Sequence, residues 1–230
     1  MTSSNIAQQH GIIIEDDEQP EVGHESNEYT SSMLQIPAVH QVASHYMRVA
    51  LEEARKSPPK PTNYCVGALL LRAATSITPP SILATGYTLE CEGNTHAEQC
   101  CFIKLAESLD CDVESLGSRM NGDILLYTTM EPCNQRSVGN LPCVDRILAL
   151  KTAEGKQTIS TVICGVGEPK DLVATNSGRA RLEAAGIKVG VLTGMEEEIL
   201  SVAKAGHPRP QDDREEAPGP SRSNIHNLLN

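Results

Sequence analysis

Asn94-Thr95-His96-Ala97-Glu98, Glu131-Pro132-Cys133 and Pro142-Cys143 carry the chain's densest chemistry. His96, Cys133 and Cys143 are of the types that bind zinc, and three protein ligands leave the fourth tetrahedral corner open to water. Glu98 is the natural partner of that water. Zinc lowers the pKa of a bound water from about 15.7 to about 7, and a neighbouring carboxylate can carry the released proton to a leaving group. In mid-helix, His96 and Glu98 would point nearly opposite ways, so they share a site only from the first turn of a helix whose end faces the metal. Gly93-Asn94-Thr95 supplies such a start, with Asn94 or Thr95 able to cap it. Cys133 leaves a strand end and Cys143 enters a helix at Pro142, where the missing amide costs nothing and the helix dipole favours thiolate. A purely structural zinc would want a fourth protein ligand. Cys65, Cys91, Cys100 and Cys164 could supply it, but their apolar surroundings read as buried thiols.

Working outward, the flanks predict alternating strands and helices. Ala43, Met47, Ala50, Leu51 and Ala54 repeat at helical spacing from Val39, and Ser57-Pro58-Pro59 ends the helix. Residues 65–71 and 81–87 are apolar runs bounded by turn residues and predict an antiparallel pair joined near Thr78-Pro79-Pro80. A helix from His96 to Leu109 follows, then strands over 123–129, 158–164 and 187–192, with helices starting near Pro142, over 177–185 and over 195–203. This order predicts an α/β domain, a mixed five-stranded sheet with helices on both faces in three layers. Strand-helix-strand units place ligand groups at helix starts beside strand ends.

Composition narrows the function. The 230 residues carry a net charge of −11, with seven acidic and no basic side chains in residues 1–37, and nineteen acidic against sixteen basic in 38–204. No segment has the basic surplus that grips many phosphates, which argues against a nucleic-acid partner and for a small-molecule substrate. No apolar stretch reaches the roughly 20 residues that span a bilayer, so no membrane partner is expected. Eight cysteines without a secretory leader read as thiols and metal ligands, and the acidic N-terminus is unlike a mitochondrial presequence. The expected location is cytoplasmic, with the nucleus left open. Residues 1–36 and 205–230 are polar, charged or Pro-rich and are expected to be disordered tails around a domain at 37–204.

An H-x-E triplet followed by P-C and a second Cys is the pattern of zinc-dependent nucleobase deaminases. The run Asn94-Thr-His-Ala-Glu-Gln-Cys-Cys101, and Thr129 to Ile147 with nine residues between its cysteines, resembles the fungal-type 2,5-diamino-6-ribitylamino-4(3H)-pyrimidinone 5′-phosphate deaminases of riboflavin biosynthesis, in the cytidine deaminase-like superfamily. Pro61-Thr-Asn-Tyr-Cys-Val-Gly67 and Gly165-Val-Gly-Glu-Pro169 resemble the same family. The resemblance covers roughly residues 38–200. It implies zinc on His96, Cys133 and Cys143, attack of zinc-bound hydroxide on the amine-bearing ring carbon, and Glu98 as proton shuttle. It also implies Asn63 at the pyrimidine edge and Glu168 near the substrate, a pyrimidine ribityl phosphate. Bacterial relatives use a histidine upstream of H-A-E and a lysine between the cysteines; here stand Thr88-Leu89-Glu90 and Arg136. Arg136 or Arg179 is the candidate phosphate contact. Each has a plainer reading: Asn63 as a turn residue, the arginines as solvated surface, Glu168-Pro169 as turn chemistry. Deamination of cytidine, guanine or tRNA adenosine, and a non-catalytic zinc-stabilised interaction module, are the alternatives. The oligomeric state is open, with a homodimer the expectation by analogy.

Overall fold

The computed structural model describes residues 32–137, 139–167 and 177–207. The elements are α1 (Pro37–Ala54), β1 (Gly67–Arg72), β2 (Ser81–Tyr87), α2 (Ala97–Ser108), α3 (Leu116–Arg119), β3 (Ile124–Met130), α4 (Cys143–Ala149), β4 (Ile159–Val166), α5 (Gly178–Ala184), β5 (Lys188–Val191) and α6 (Glu196–Ala203). The five strands form one sheet in the order β2-β1-β3-β4-β5. β1 pairs antiparallel with β2 and β3, while β3, β4 and β5 run parallel. The mixed sheet thus follows from chain order, since short links permit antiparallel pairs and helix crossovers permit parallel ones.

Alternation along the strands divides the core in two. Ala68, Leu70, Ile124, Leu126, Val162 and Cys164 face one side and meet Phe102, Leu105, Val144, Ile147 and Leu182 of α2, α4 and α5. Leu69, Leu71, Tyr127 and Ile163 face the other and meet Met47, Ala50, Leu51, Ile199 and Ala203 of α1 and α6. Period two in a central strand sends neighbours to opposite faces, so both faces must be covered and three layers result. The five α1 positions expected at helical spacing are all buried. Two glycines let helices close onto strands. A Cβ on Gly67 would lie 1.9 Å from Ala50 O in α1, and one on Gly86 would lie 2.4 Å from Ala97 O in α2.

Three local features add to those expectations. The single turn α3 was not foreseen. The segment expected to be unstructured through residue 36 is packed at its last part, where Leu34 is 4% exposed. At the other end, the tail expected from residue 205 stays attached through His207, whose ring stacks on Tyr64 with centroids 4.4 Å apart and whose Nε2 lies 3.2 Å from Asn63 O. The rest of both expected tails, residues 1–31 and 208–230, lies outside the described residues. Among the described residues no helix is long and apolar enough to cross a membrane.

Candidate active site

β3 ends at Met130 in the middle of the sheet, so Glu131-Pro132-Cys133 emerges beside the start of α2. His96 is the N-cap of α2, with extended backbone (φ −93°, ψ 161°), and Glu98 sits in the first turn. From an extended N-cap and a first-turn position the two side chains both reach the Cys143 sulfur, 3.4 Å from each, which is how residues two apart share one site. Capping by Asn94 or Thr95 does not occur. Asn94 Oδ1 accepts from Asn63, and the Thr95 hydroxyl donates to Cys91 O. Cys143 opens α4 behind the N-cap Pro142.

His96, Cys133 and Cys143 place their ligand atoms within 4.8 Å of one another, the cluster of this kind found among the described residues. Cys133 Sγ and Cys143 Sγ each lie 3.4 Å from His96 Nδ1. A tetrahedral zinc with Zn–S of about 2.3 Å and Zn–N of about 2.0 Å has sulfur-to-nitrogen edges of about 3.5 Å. The donor set therefore fits that ion in type and spacing. The Cys143 amide donates to Cys133 Sγ at 3.4 Å, bringing the positive end of α4 to the sulfur. Hydrogen bonding from the Cys143 thiol is the main influence that lowers the Cys133 thiol, to about 4, with burial opposing and His96 assisting. The same contact, with burial and the nearby Glu98, holds Cys143 protonated. Cys65, Cys100 and Cys164 are buried free thiols and Cys91 is partly so, as their surroundings predicted.

Glu98 is 3% exposed and its carboxyl is raised above the ordinary value, first by burial, with His96 opposing. Its Oε2 lies 3.4 Å from Cys143 Sγ. Its Oε1 lies 3.4 Å from the Thr128 hydroxyl, which also donates to Met130 O at 2.8 Å. Thr128 is fully buried on β3, on the face that α2 covers. A cavity of about 420 Å³ opens over these groups, lined among others by Asn63, Tyr64, His96, Glu98, Cys133 and Arg136. A cavity of this size, with polar and charged side chains converging among Val66 and Met130, suits a small polar molecule.

The other expected residues divide. Asn63 is on the cavity wall, where its Nδ2 donates to Asn94 Oδ1 at 3.2 Å and its Oδ1 accepts from the Thr62 hydroxyl at 2.9 Å. Arg136 is there too, with Nη2 on Asn94 O at 2.6 Å and Nη1 on Gln99 Oε1 at 3.3 Å. Arg179 is absent from that lining. It binds Glu183 at 2.9 Å and Val189 O at 3.1 Å, pinning α5 to β5. A helix on the outer layer beside an edge strand puts its guanidinium against that strand, away from the sheet's centre. Glu168 lies outside the described residues. Sequence reasoning missed Thr128, Asn94 as a wall residue, and Arg181, which ties Asn134 of the cysteine loop to Asp145 of α4. Only Asn94, next to the His96 stretch, had a positional signal.

The family model for the cytidine and deoxycytidylate deaminase zinc-binding region matches residues 40–156. This chain belongs to that family. Within it, the Rib2 deaminase of Aspergillus oryzae, solved as a C-terminal deletion mutant at pH 6.5, is 40% identical, with TM-score 0.65, over 72% of this chain and 92% of that one. The same enzyme solved in complex with DARIPP is 41% identical, again with TM-score 0.65, over 72% and 91%. A diaminohydroxyphosphoribosylamino-pyrimidine deaminase of Schizosaccharomyces pombe is 36% identical over 163 residues, 71% of this chain and 35% of that protein. The chain thus spans about a third of the length of that curated relative. The expected cytidine deaminase-like fold, with its mixed five-stranded sheet, is borne out by the sheet and by these relatives.

Proposed function

We propose that this chain catalyses the zinc-dependent hydrolytic deamination of 2,5-diamino-6-ribitylamino-4(3H)-pyrimidinone 5′-phosphate, the reaction of riboflavin biosynthesis. The observation that carries the reading is the His96-Cys133-Cys143 cluster beside Glu98, with His96, Cys133 and Glu98 lining one cavity and Cys143 buried behind them. The relatives support the substrate class, since the similar Aspergillus oryzae enzyme was solved with DARIPP.

His96 Nδ1, Cys133 Sγ and Cys143 Sγ would hold the zinc. Bound there, zinc supplies Lewis acidity that makes water a nucleophile near neutral pH. Glu98 takes the proton from the attacking water at a carboxylate oxygen and gives it to the departing amine. The balance is one exocyclic C–N bond broken between the ring carbon and its amine, one C–O bond formed at that carbon, water consumed and ammonia released. Burial matters to both halves, because a carboxyl with raised affinity for the proton accepts it readily and holds it until the amine leaves. Asn63 contacts the pyrimidine edge from the wall. Arg136, whose guanidinium is partly exposed in the cavity, contacts the ribityl phosphate.

The test is ammonia release from the ribitylaminopyrimidine phosphate by zinc-loaded protein, beside cytidine, guanine and adenosine substrates. Release from the first alone supports the reading; no release, or preference for a nucleoside, overturns it. Glu98→Gln should bind zinc and lose turnover by about a thousandfold, within the range of positioned general acid–base groups.

A further inference from the structure

Three stretches far apart in sequence meet on one wall of the cavity: Thr62 to Tyr64 ahead of β1, Asn94 ahead of α2, and Arg136 between the cysteines. Asn94 touches the other two. Its side-chain oxygen accepts from Asn63 Nδ2 at 3.2 Å, and its main-chain carbonyl accepts from Arg136 Nη2 at 2.6 Å. From the opposite side the Thr62 hydroxyl donates to Asn63 Oδ1 at 2.9 Å.

A primary amide owns two N–H donors and an oxygen with two lone pairs. The contacts with Asn94 and Thr62 occupy one donor and one lone pair of Asn63. One donor and one acceptor remain for a ligand. An amide free to flip offers them in either order and would accept a ring in two senses. An amide tied at both ends reverses that order only if the Asn94 amide and the Thr62 hydroxyl reorient with it, so the order shown is favoured. For a pyrimidinone, whose lactam edge sets a carbonyl acceptor beside an N–H donor, the order decides which ring carbon lies toward Glu98.

We propose that Asn94 and Thr62 are positioning residues that hold the Asn63 amide in one orientation, so that the wall accepts the lactam edge of the pyrimidinone in a single sense. This rests on the reading above that Asn63 touches the ring. Asn94 acts here through its side chain alone, because its contact with Arg136 is made by the main chain and survives truncation.

The experiment measures kcat/KM for ammonia release in Asn94→Ala, Thr62→Val, Thr62→Ser and Asn63→Ala, and in Asn63→Ala combined with each of the first two. Zinc content and thermal midpoint are recorded for every variant. Asn94→Ala and Thr62→Val should each lower kcat/KM about tenfold, the scale of one lost hydrogen bond. Thr62→Ser should recover most of the Thr62→Val loss. In the Asn63→Ala background both losses should vanish, because residues that act only through Asn63 have nothing left to position. Wild-type kcat/KM in Asn94→Ala and Thr62→Val, or losses that persist in full without the Asn63 amide, overturn the proposal. If Asn94→Ala folds poorly, the Thr62 pair, on an exposed turn, decides alone. Asn63→Ala with wild-type kcat/KM removes the ring contact and the proposal with it. A wild-type protein that releases no ammonia removes the reaction, a result separable from all of these.

Discussion

Gly86 lies on β2 where the strand passes beneath the first turn of α2, and a methyl group there has nowhere to go. Its Cβ would lie 2.4 Å from Ala97 O, 2.9 Å from Cys101 N and 3.0 Å from Cys100 Cβ. Ordinary contact begins near 3.4 Å, so about 1 Å of relief is needed, and the nearest obstacles are helix backbone and not a flexible side-chain end. Overpacking of this kind costs about 1–3 kcal/mol, and backbone obstacles put Gly86→Ala at the upper end. For a domain of this size 3 kcal/mol is about 6–12 °C in thermal midpoint. The relief also moves the turn that carries His96 and Glu98, and a misplacement of about 1 Å in a catalytic group can cost about a hundredfold in rate. Gly117→Ala is the control: its Cβ would lie 2.4 Å from Lys151 O, and neither residue lines the cavity. Thermal denaturation and ammonia release per folded molecule should show both variants destabilised and only Gly86→Ala slowed. A Gly86→Ala protein with wild-type midpoint and turnover would refute the packing argument, and equal slowing in both would refute its link to the site.

Arg136→Ala should raise KM about ten- to a hundredfold for the phosphorylated substrate, the range of a charge-assisted hydrogen bond, and far less for its dephosphorylated form; equal effects on the two would take the guanidinium off the phosphate. Cys143→Ser should lose metal, turnover and thermal midpoint together, since metal binding free energy is also folding free energy, and metal analysis beside calorimetry reads all three. In metal-free protein, folded Glu98 holds its proton above the ordinary 4.5 while the unfolded chain releases it. The native state then binds more protons, so this contribution to stability is lost as pH rises from about 4.5 through the raised folded value. Glu98→Gln cannot ionise, so its advantage in urea midpoint over metal-free wild type should widen from pH 5 to pH 8, and a constant gap would contradict the burial argument.

The chain by itself determined what short-range rules encode. The spacing of Ala43, Met47, Ala50, Leu51 and Ala54 specified a buried helix face, and the apolar runs specified five strands, because side-chain period follows directly from backbone geometry. The requirement that His96 and Glu98 share a first turn was also legible, since it depends only on residues two apart. The tertiary structure alone decided which distant groups meet. Thr128 reaches Glu98 because β3 lies centrally under α2, Asn94 turns to Asn63 across 31 residues instead of capping its own helix, and Arg179 is spent on β5 while Arg136 lines the cavity. Strand order and helix placement set those meetings through the packing of two buried faces, and no local periodicity carries that information.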